Sequence, residues 1–476
     1  MTISFGTDGW RAVISETFTF ANLRLLAQAI ADLILEENGS GQPHAVVGFD
    51  TRFLSDRYAI EVARVLAGNG IRVLLTNSDT PTPAVSFTVK HTGAAAGVMI
   101  TASHNAPRYN GVKLKAAFGG SALPEQCRRV EVHLRDNEER ARGPVLADYE
   151  AALQQGLIER YNPAPAYFAH LRTLVDLDAI CRAGVRVVHD PMYGAGRGYI
   201  KSLLGGAGCP VHEIRGEMNP GFGGVHPEPL AKYLAALAAA IQSGLGEVGL
   251  ATDGDADRIG AMDGEGRFVD AHRIFALILR YLVEVRGMRG TVVRTVSTTR
   301  LIDRLCRRHG LPLKETPVGF NHIADLMMQG DVLMGGEESG GMSIKGHIPE
   351  GDGILMGLLL LEVIAQSGQP LAALVDDLHA DLGPAHYARI DLRLRRPVAK
   401  KEMVARLRDD APSEIAGVRV QEVSDLDGVK YILADESWLL IRPSGTEPLL
   451  RIYAEAGDES VMRGLLRYGE QIAESV

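Results

Sequence analysis

Apolar residues in the first 150 positions follow two alternating spacings. Over 20–37 and 58–67 they recur every three or four residues, which is the spacing of a helix with one buried face. Short continuous apolar runs, typical of buried strands, follow at 45–49, 71–75 and 95–100. Strands that alternate with helices predict a β/α layer.

The same alternation returns twice in the middle of the chain, and it predicts two further α/β units. Their predicted strands and helices lie at 185–189, 211–214, 230–242, 248–251, 291–296, 299–309 and 332–334. From His386 onward the pattern changes to short strand-like runs with little helix between most of them, at 388–394, 418–423, 431–433 and 438–441. A helix over 460–474 would close this small antiparallel α+β domain.

These patterns predict four domains, at 1–150, 165–262, 263–375 and 386–476. The composition agrees with a chain that folds throughout, because 46% of its 476 residues are hydrophobic and 23% are charged. Lys and Arg total 50 against 59 Asp and Glu, a formal net charge of -9. This balance argues against a general affinity for nucleic acid or anionic membranes, so an anionic ligand needs a local cationic pocket.

The four cysteines are widely scattered and form no CxxC pair, at Cys127, Cys181, Cys209 and Cys306. We therefore expect neither a zinc site nor a disulfide framework, and a reducing cytoplasm fits best. The N-terminus lacks the layout of a signal peptide. The most apolar stretch, 354–365, is shorter than the roughly 20 residues that span a bilayer, so we expect no membrane segment.

Polar chemistry follows a predicted strand in each α/β unit, where ligand sites of such sheets gather. After the strand at 95–100 come Ser103, His104 and Lys113, which place a hydroxyl, an imidazole and an ammonium close together in sequence. Ser103 is the candidate nucleophile, but it needs activation by Lys113 or His104, which requires the loop to fold back. The alternative is a polar turn that satisfies its own backbone.

After the strand at 248–251 come Asp253, Asp255 and Asp257, three carboxylates at alternate positions, followed by Arg258. An extended loop can converge such carboxylates on one hard cation, and Mg²⁺ is the natural candidate. A calcium EF-hand is excluded, because Arg258 and Gly264 stand where that loop needs glycine and glutamate. A solvated acidic turn is the remaining alternative.

After the strand at 332–334 comes the segment GGEESGG at 335–341, which contains Glu337 and Ser339. Its glycines permit close backbone approach, and a carboxylate accepts hydrogen bonds from neighbouring sugar hydroxyls. The alternative is a flexible acidic surface loop.

The last domain carries guanidinium groups, hydroxyls and a glycine after the run 438–441, namely Arg442, Ser444, Gly445, Thr446 and Arg451. Such a set suits a phosphate dianion. The chain has no Walker motif, so a P-loop nucleotide site is not indicated. An ordinary Pro/Gly turn is the alternative.

Five motifs occur in one order across nearly the whole chain: FGTDGWR, TASHN with NGVK, DGDADR, GEESGG and RPSGTEP. This set closely resembles the α-D-phosphohexomutase family. The resemblance implies an α/β fold of three related α/β/α domains plus a smaller C-terminal α+β domain around a central cleft.

The resemblance also implies a role for each matching residue. Ser103 would carry the phosphoryl group and share a magnesium ion with Asp253, Asp255 and Asp257. Arg11, His104 and Lys113 would join Ser103 in catalysis. The substrate would be bound by Glu337, Ser339, Arg258, Arg442, Ser444, Gly445, Thr446 and Arg451.

Three positions depart from the family pattern. Ala106 stands where the serine motif usually has proline, and Pro107 follows it. Gly341 replaces a histidine that several members carry, and Asn321 replaces a lysine that many carry.

The function implied is interconversion of hexose 1-phosphate and hexose 6-phosphate through a phosphoserine and a bound bisphosphate, with Mg²⁺ as cofactor and hexose 1,6-bisphosphate as activator. The GEESGG segment resembles the glucose-type branch, so glucose phosphate is the first choice and mannose phosphate the second. A phosphoglucosamine mutase, a metal-dependent sugar phosphatase and a non-catalytic sugar-phosphate sensor are the alternatives. A sensor would not need Ser103, Lys113 and the three aspartates.

Overall fold

The computed structural model describes residues 3–6, 9–39, 41–394, 399–443 and 449–474. Its strands form four sheets, which we use to name domains I to IV in chain order. The architecture is the predicted one, with three α/β domains and a smaller antiparallel domain around a central cleft.

Domain I is a six-stranded sheet in the order β1-β5-β4-β2-β3-β6, with helices on both faces. Its elements are β1 (Trp10–Val13), α1 (Phe20–Asn38), β2 (His44–Phe49), α2 (Ser55–Gly68), β3 (Arg72–Thr76), α3 (Thr82–Thr92), β4 (Ala96–Ile100), β5 (Tyr109–Ala116), α4 (Pro124–Glu139), α5 (Tyr149–Gln154) and β6 (Ile158–Tyr161). Helix α1 begins at Phe20 because the Thr19 hydroxyl accepts the Asn22 N–H at 3.2 Å.

Domain II is a five-stranded sheet in the order β11-β10-β9-β7-β8, in which β7, β8 and β9 are parallel. Its elements are α6 (Ala164–Leu174), α7 (Leu177–Ala183), β7 (Val187–Asp190), α8 (Tyr199–Gly206), β8 (Val211–Glu213), α9 (Ala235–Gln242), β9 (Val248–Thr252), β10 (Ile259–Met262) and β11 (Phe268–Val269). Strand β10 runs antiparallel to β9, so the turn between them lies at the carboxyl end of a parallel strand.

Domain III is a four-stranded sheet in the order β13-β12-β14-β15, in which only β15 is antiparallel. Its elements are α10 (Ala271–Glu284), β12 (Thr291–Thr295), α11 (Leu301–His309), β13 (Leu313–Thr316), α12 (Phe320–Gln329), β14 (Val332–Gly336), β15 (Met342–Ile344), α13 (Gly353–Ser367) and α14 (Leu371–Leu382). Domains II and III share one hydrophobic core, in which α13 is deeply buried.

Domain IV is an antiparallel six-stranded sheet in the order β16-β21-β20-β19-β18-β17. Its elements are β16 (His386–Arg393), α15 (Lys400–Asp409), β17 (Glu414–Ile415), β18 (Val418–Ser424), β19 (Val429–Leu433), β20 (Trp438–Pro443), β21 (Leu449–Ala456) and α16 (Glu459–Glu474). One face packs against α15 and α16. The other face meets domain III, where Trp438, Leu440 and Tyr453 cluster with Val296.

Two sequence-based expectations are wrong. The structure joins Cys181 and Cys209 in a disulfide, whereas the scattered cysteines predicted none. They lie 28 residues apart in sequence, but Cys181 in α7 and Cys209 just before β8 have their Cα atoms 5.1 Å apart. The helix expected over 230–242 is instead a short 3-10 turn, Ala231–Tyr233, and α9, because Leu234 leaves helical geometry at ψ 20°.

No single helix among the described residues is long and apolar enough to cross a bilayer. The helices α13 and α14, which meet at a bend of 84°, together have the length and composition to do so.

Candidate active site

Ser103 lies in the loop that joins β4 to β5; we call this loop, together with the first residue of β5, the serine loop (residues 101–109). Its side chain is buried, and its backbone has a φ of 51°, in the left-handed region. The Ser103 N–H donates to Thr101 Oγ1 at 2.8 Å, and the Ser103 hydroxyl donates to Asp253 Oδ2 at 3.0 Å. The predicted nucleophile of domain I therefore faces the predicted metal site of domain II.

His104 is the second predicted catalytic residue in this loop. Its Nδ1 lies 3.3 Å from Ser103 Oγ. Burial lowers the pKa of His104 well below its usual value, and the charges of Arg258 and Arg11 lower it further. The imidazole is therefore neutral near pH 7, and a neutral ring nitrogen can accept a proton.

Asp253, Asp255 and Asp257 lie in the turn between β9 and β10, which we call the acidic turn (residues 253–258). Their ligand oxygens all lie within 4.8 Å of one another. The turn requires Gly254, because a Cβ there would lie 2.5 Å from the carbonyl oxygen of Ser103. The serine loop and the acidic turn thus touch backbone to backbone.

Lys113 extends from β5 to the acidic turn. Its ammonium donates to Asp255 Oδ2 and to Asp257 Oδ2, both at 2.7 Å. Burial works against the charged form of Lys113, but the two carboxylates outweigh it and raise the pKa of Lys113 above its usual value. Lys113 therefore stays cationic and balances part of the acidic charge.

The electrostatics of the acidic turn differ from one carboxylate to the next. Burial, with the charges of Asp257 and Asp255, raises the pKa of Asp253 well above its usual value. Burial also acts on Asp255, but Lys113 and a hydrogen bond from Thr82 lower the pKa of that carboxyl. Three carboxylates at this spacing repel one another, so a bound cation would stabilise the turn.

The residues of the acidic turn fit a magnesium ion. Among the described residues, Asp255 Oδ1 and Asp257 Oδ1 are buried and have no hydrogen-bond partner. Buried oxygens without a donor are costly, and a hard divalent cation satisfies them. Asp253, Asp255 and Asp257 would hold the ion, and the Ser103 hydroxyl is close enough to share it.

Arg258 connects the acidic turn to domain III. Its guanidinium lies 3.7 Å from Glu228 Oε1 and 3.8 Å from Asp257 Oδ1, and its backbone forms a β-bridge with Gly341. Burial opposes its charge, but the charges of Asp257 and Asp253 raise the pKa of Arg258. The predicted substrate-binding arginine is thus a fixed cation beside the metal site.

Glu337 and Ser339 lie in the tight turn between β14 and β15, which we call the Glu337 hairpin (residues 337–341). Glu337 N–H donates to Gly341 O at 3.0 Å, and Glu337 Oε1 accepts the Gly319 N–H at 2.9 Å. Ser339 is partly exposed. Two hydrogen bonds of Glu337 therefore tie the hairpin to itself and to the start of α12.

Arg442 and Arg451 face each other in register on β20 and β21 of domain IV. Arg442 Nε donates to Asp427 Oδ2 at 2.6 Å, and Asp427 also accepts the Val318 N–H of domain III at 3.2 Å. The three remaining residues of the predicted phosphate clamp lie outside the described residues, namely Ser444, Gly445 and Thr446.

Arg11, predicted from the N-terminal motif, reaches the serine loop. Its Nη1 donates to Asn105 Oδ1 at 2.8 Å, two residues beyond Ser103. The structure therefore brings Arg11, Ser103, His104 and Lys113 of domain I together at the acidic turn.

Four residues of this region escaped the sequence analysis. Asp50 and Arg52 follow β2 and contact the serine loop, Thr82 donates to Asp255 Oδ2 at 2.6 Å, and Asp427 orients Arg442. One signal was available, because Asp50 and Arg52 directly follow a predicted strand, as the other site residues do. Thr82 and Asp427 carry no comparable signal.

Models of one protein family match the chain in four successive segments. Phosphoglucomutase/phosphomannomutase, alpha/beta/alpha domain I, matches residues 2–141. Domain II of the same description matches residues 165–266, and domain III matches residues 270–381. The C-terminal domain of that family matches residues 394–467.

Similar proteins cover nearly the whole chain. A phosphoglucomutase/phosphomannomutase of Thermococcus kodakarensis is 30% identical over 99% of this chain and 98% of its own length. A phosphoglucosamine mutase of Frankia casuarinae is 34% identical over 97% of this chain and 96% of its own length. A crystal structure from Thermus thermophilus has 37% identity and a TM-score of 0.85, covering 100% of this chain and 99% of that chain. The chain therefore belongs to the phosphoglucomutase/phosphomannomutase family of α-D-phosphohexomutases, and it is an intramolecular phosphotransferase.

Proposed function

We propose that this enzyme interconverts hexose 1-phosphate and hexose 6-phosphate through a phosphorylated Ser103. One observation carries the proposal: the Ser103 hydroxyl lies 3.0 Å from Asp253 Oδ2, within a cluster of three carboxylates and the Lys113 ammonium. Phosphoryl transfer depends mainly on positioning and on charge neutralisation, and this cluster can supply both.

In the proposed reaction, phosphorylated Ser103 gives its phosphoryl group to the free hydroxyl of a bound hexose phosphate. The bond from phosphorus to Ser103 Oγ breaks as the bond to the sugar oxygen forms, and the proton of the sugar hydroxyl ends on Ser103 Oγ, so the products are a hexose bisphosphate and an unmodified serine. The bisphosphate then reorients and returns its other phosphoryl group to Ser103, and the isomer is released. On this return, the bond from phosphorus to the other sugar oxygen breaks, and that oxygen takes up the proton that the Ser103 hydroxyl loses. His104 Nδ1 is placed to accept this proton from Ser103, since it lies 3.3 Å from Oγ.

Charge on the transferring group would be balanced by the residues that surround it. A magnesium ion held by Asp253, Asp255 and Asp257 supplies neutralisation of the phosphoryl oxygens when it is bound. Lys113, Arg258 and Arg11 add fixed positive charge around the same point.

The rest of the substrate would be held by domains III and IV. We assign the sugar hydroxyls to Glu337 and Ser339, and the phosphate that does not react to Arg442 and Arg451. Ser444, Gly445 and Thr446 stay predicted members of the same clamp.

Glucose phosphate is our first choice of substrate and mannose phosphate our second, because the GEESGG segment resembles the glucose-type branch. Glucosamine phosphate is the alternative, since the Frankia casuarinae relative at 34% identity is a phosphoglucosamine mutase. A phosphatase would use the same serine and acidic turn but transfer the phosphoryl group to water.

The test compares the wild-type enzyme with Ser103→Ala and with Ser78→Ala, an exposed serine in the same domain, as control. Each is incubated with Mg²⁺, glucose 1-phosphate and a trace of glucose 1,6-bisphosphate, and glucose 6-phosphate is measured; mannose and glucosamine 1-phosphates run alongside. We expect isomerisation by wild type and Ser78→Ala, none by Ser103→Ala, and none after chelation of divalent cations until Mg²⁺ is restored.

The ranking of rates among the three sugars then identifies the substrate. Steady release of inorganic phosphate without isomerisation would establish the phosphatase instead. Isomerisation that persists in Ser103→Ala would refute the phosphoserine route.

A further inference from the structure

Arg52 makes an unusual set of contacts with the serine loop. Its side chain is fully buried, and its two terminal nitrogens donate to four backbone carbonyls of that loop. Nη2 donates to Ser103 O at 2.5 Å and to Asn105 O at 2.7 Å, while Nη1 donates to Ala106 O at 2.9 Å and to Tyr109 O at 3.0 Å. One guanidinium thus determines the path of most of the loop.

Asp50 links Arg52 to a side chain of the same loop, that of Thr101. Asp50 Oδ2 lies 3.1 Å from Arg52 Nε and accepts the Thr101 hydroxyl at 2.7 Å. Thr101 Oγ1 in turn accepts the Ser103 N–H at 2.8 Å. The carbonyl of Ser103 is therefore bonded to Arg52 directly, and its N–H is tied to Asp50 through one hydroxyl.

Domain II covers the other side of the Arg52 guanidinium. The ring of Phe222, which is fully buried, lies 5.0 Å from the guanidinium carbon. In addition, the Thr51 hydroxyl donates to the Tyr193 carbonyl of domain II at 2.8 Å. Arg52 is thus held in one plane between the two domains whose groups meet at Ser103.

Ser103 needs such support because its backbone is strained. A non-glycine residue at a φ of 51° is uncommon and persists only where its surroundings hold it in that conformation. The loop also carries Ala106 where proline would restrict the backbone, and the Ala106 carbonyl is one of the four that Arg52 binds.

We propose that Arg52 is a positioning residue that holds the Ser103 hydroxyl opposite Asp253 for phosphoryl transfer. This inference rests on the proposed function of Ser103. In this loop the Arg52 guanidinium binds backbone carbonyls. Its role is therefore to fix the geometry of the loop rather than to bind the hexose phosphate. Loss of this geometry would lower kcat and leave KM nearly unchanged.

Arg52→Lys is the most direct test, because lysine keeps the charge beside Asp50 but cannot form the planar fork that reaches four carbonyls. Arg64→Lys is the matched control: Arg64 is another domain I arginine that donates to a backbone carbonyl, Ala147 O at 3.0 Å, and to a carboxylate. Thermal unfolding confirms that both variants are folded before activity is compared.

We expect Arg52→Lys to lower kcat, and the single-turnover rate of Ser103 phosphorylation by glucose 1,6-bisphosphate, by about 10- to 100-fold. KM should change by less than about threefold, because the clamp for the distal phosphate is intact. Arg64→Lys should match wild type in all three measurements. A folded Arg52→Lys with wild-type kcat and phosphorylation rate overturns the proposal, and so does a raised KM with unchanged kcat.

If Arg52→Lys does not fold, Phe222→Leu takes its place, since it keeps every Arg52 hydrogen bond and removes only the ring over the guanidinium. Phosphorylation of Ser103 should then slow by about threefold or more, and an unchanged rate overturns the proposal.

Amide hydrogen exchange separates this inference from the proposed function. Arg52→Lys, or Phe222→Leu in its place, should exchange faster than wild type over the serine loop and at the wild-type rate elsewhere in domain I. If wild-type Ser103 gains no phosphoryl group, the proposed function fails. The positioning role of Arg52 is then tested by amide exchange in the serine loop alone, and an exchange rate equal to that of wild type overturns it.

Discussion

At the scale of single residues, Thr82 determines which oxygen of Asp255 is left for a cation. The Thr82 hydroxyl donates to Asp255 Oδ2 at 2.6 Å, and Lys113 donates to the same oxygen at 2.7 Å. Both donors occupy one side of the carboxylate, so Asp255 Oδ1 stays unpaired among the described residues. Residues that orient a ligand in this way commonly affect metal affinity as strongly as some ligands do.

Thr82→Val should therefore raise the dissociation constant for Mg²⁺ by about 10- to 100-fold, since valine keeps the shape of threonine and removes its donor. Isothermal titration with Mg²⁺ measures the effect without any substrate. Thr88→Val is the control, because Thr88 is buried on the same helix and its hydroxyl donates only within that helix, to Ala84 O. Equal Mg²⁺ affinity in the two variants would show that Thr82 does not orient Asp255.

The sequence revealed the residues that are close together along the chain and missed those that meet across it. Asp253, Asp255 and Asp257 stand at alternate positions of one turn, so their convergence was predictable. Thr82 meets Asp255 across 173 positions, and no local pattern marks such a pair. Only folding of domains I and II against each other creates that contact.

At the scale of elements, hydrophobic periodicity located several helices and strands and missed others, including α4, whose buried residues lie on one face. Helix α1 begins at the predicted Phe20 and ends at Asn38, one residue beyond the predicted end. The alanine-rich segment over 230–242 failed, because high helix propensity did not prevent a break at Leu234. Strand β21 was missed, although its Arg451 was recognised from the neighbouring motif.

Helix α6 carries His170 at the start of a buried hydrogen-bonded chain. His170 Nε2 lies 3.0 Å from His347 Nδ1, and His347 Nε2 lies 2.9 Å from Asp352 Oδ2, which also accepts the Tyr167 hydroxyl at 2.7 Å. Burial, with the adjacent His347, lowers the pKa of His170 from 6.5 to about 4. Protonation of His170 therefore opposes the packing of α6 against domain III.

The sign of the resulting pH dependence follows from proton binding. Between pH 6.5 and about 4, the unfolded chain binds more protons at His170 than the folded chain does. This residue therefore lowers the free energy of unfolding as the pH falls through that window, and it has no such effect above pH 6.5. His170→Gln should make the loss of stability between pH 6.5 and 4 shallower than in wild type.

Thermal unfolding at a series of pH values measures this slope, with His212→Gln, an exposed histidine of β8, as the control. A slope in His170→Gln that equals those of wild type and the control would contradict the role of His170.

At the scale of the whole molecule, a small number of buried polar contacts link the domains around the cleft. Domain II meets domain I where Asp253 accepts the Ser103 hydroxyl. Domain IV meets domain III where Lys430 Nζ donates to Val296 O at 2.6 Å and to Glu315 Oε1 at 2.9 Å. Burial lowers the pKa of Lys430 to about 8, so its charge depends on Glu315. The site is therefore assembled by contacts that also define how the domains pack.

Domains I and III are linked by the ion pair between Lys115 of β5 and Glu350, and both side chains are almost completely buried. Lys115→Met would leave the Glu350 carboxylate buried without its main partner, because its only other donor among the described residues, Ser86 Oγ, is 3.5 Å away. An uncompensated buried charge of this kind costs about 3 to 5 kcal/mol of stability. We therefore expect Lys115→Met to lower the first unfolding transition markedly in calorimetry and in urea.

Lys345→Met is the matched control, because Lys345 pairs with Asp331 on the surface and such exposed pairs contribute about 1 kcal/mol or less. The double variant Lys115→Met with Glu350→Leu distinguishes two causes of the lost stability: the missing ion pair and the unpaired buried carboxylate. If the charge is the cause, the double variant recovers much of the stability that Lys115→Met loses, since it removes the buried carboxylate as well. A double variant no more stable than Lys115→Met would instead show that packing of the lysine chain, and not its charge, holds domains I and III together.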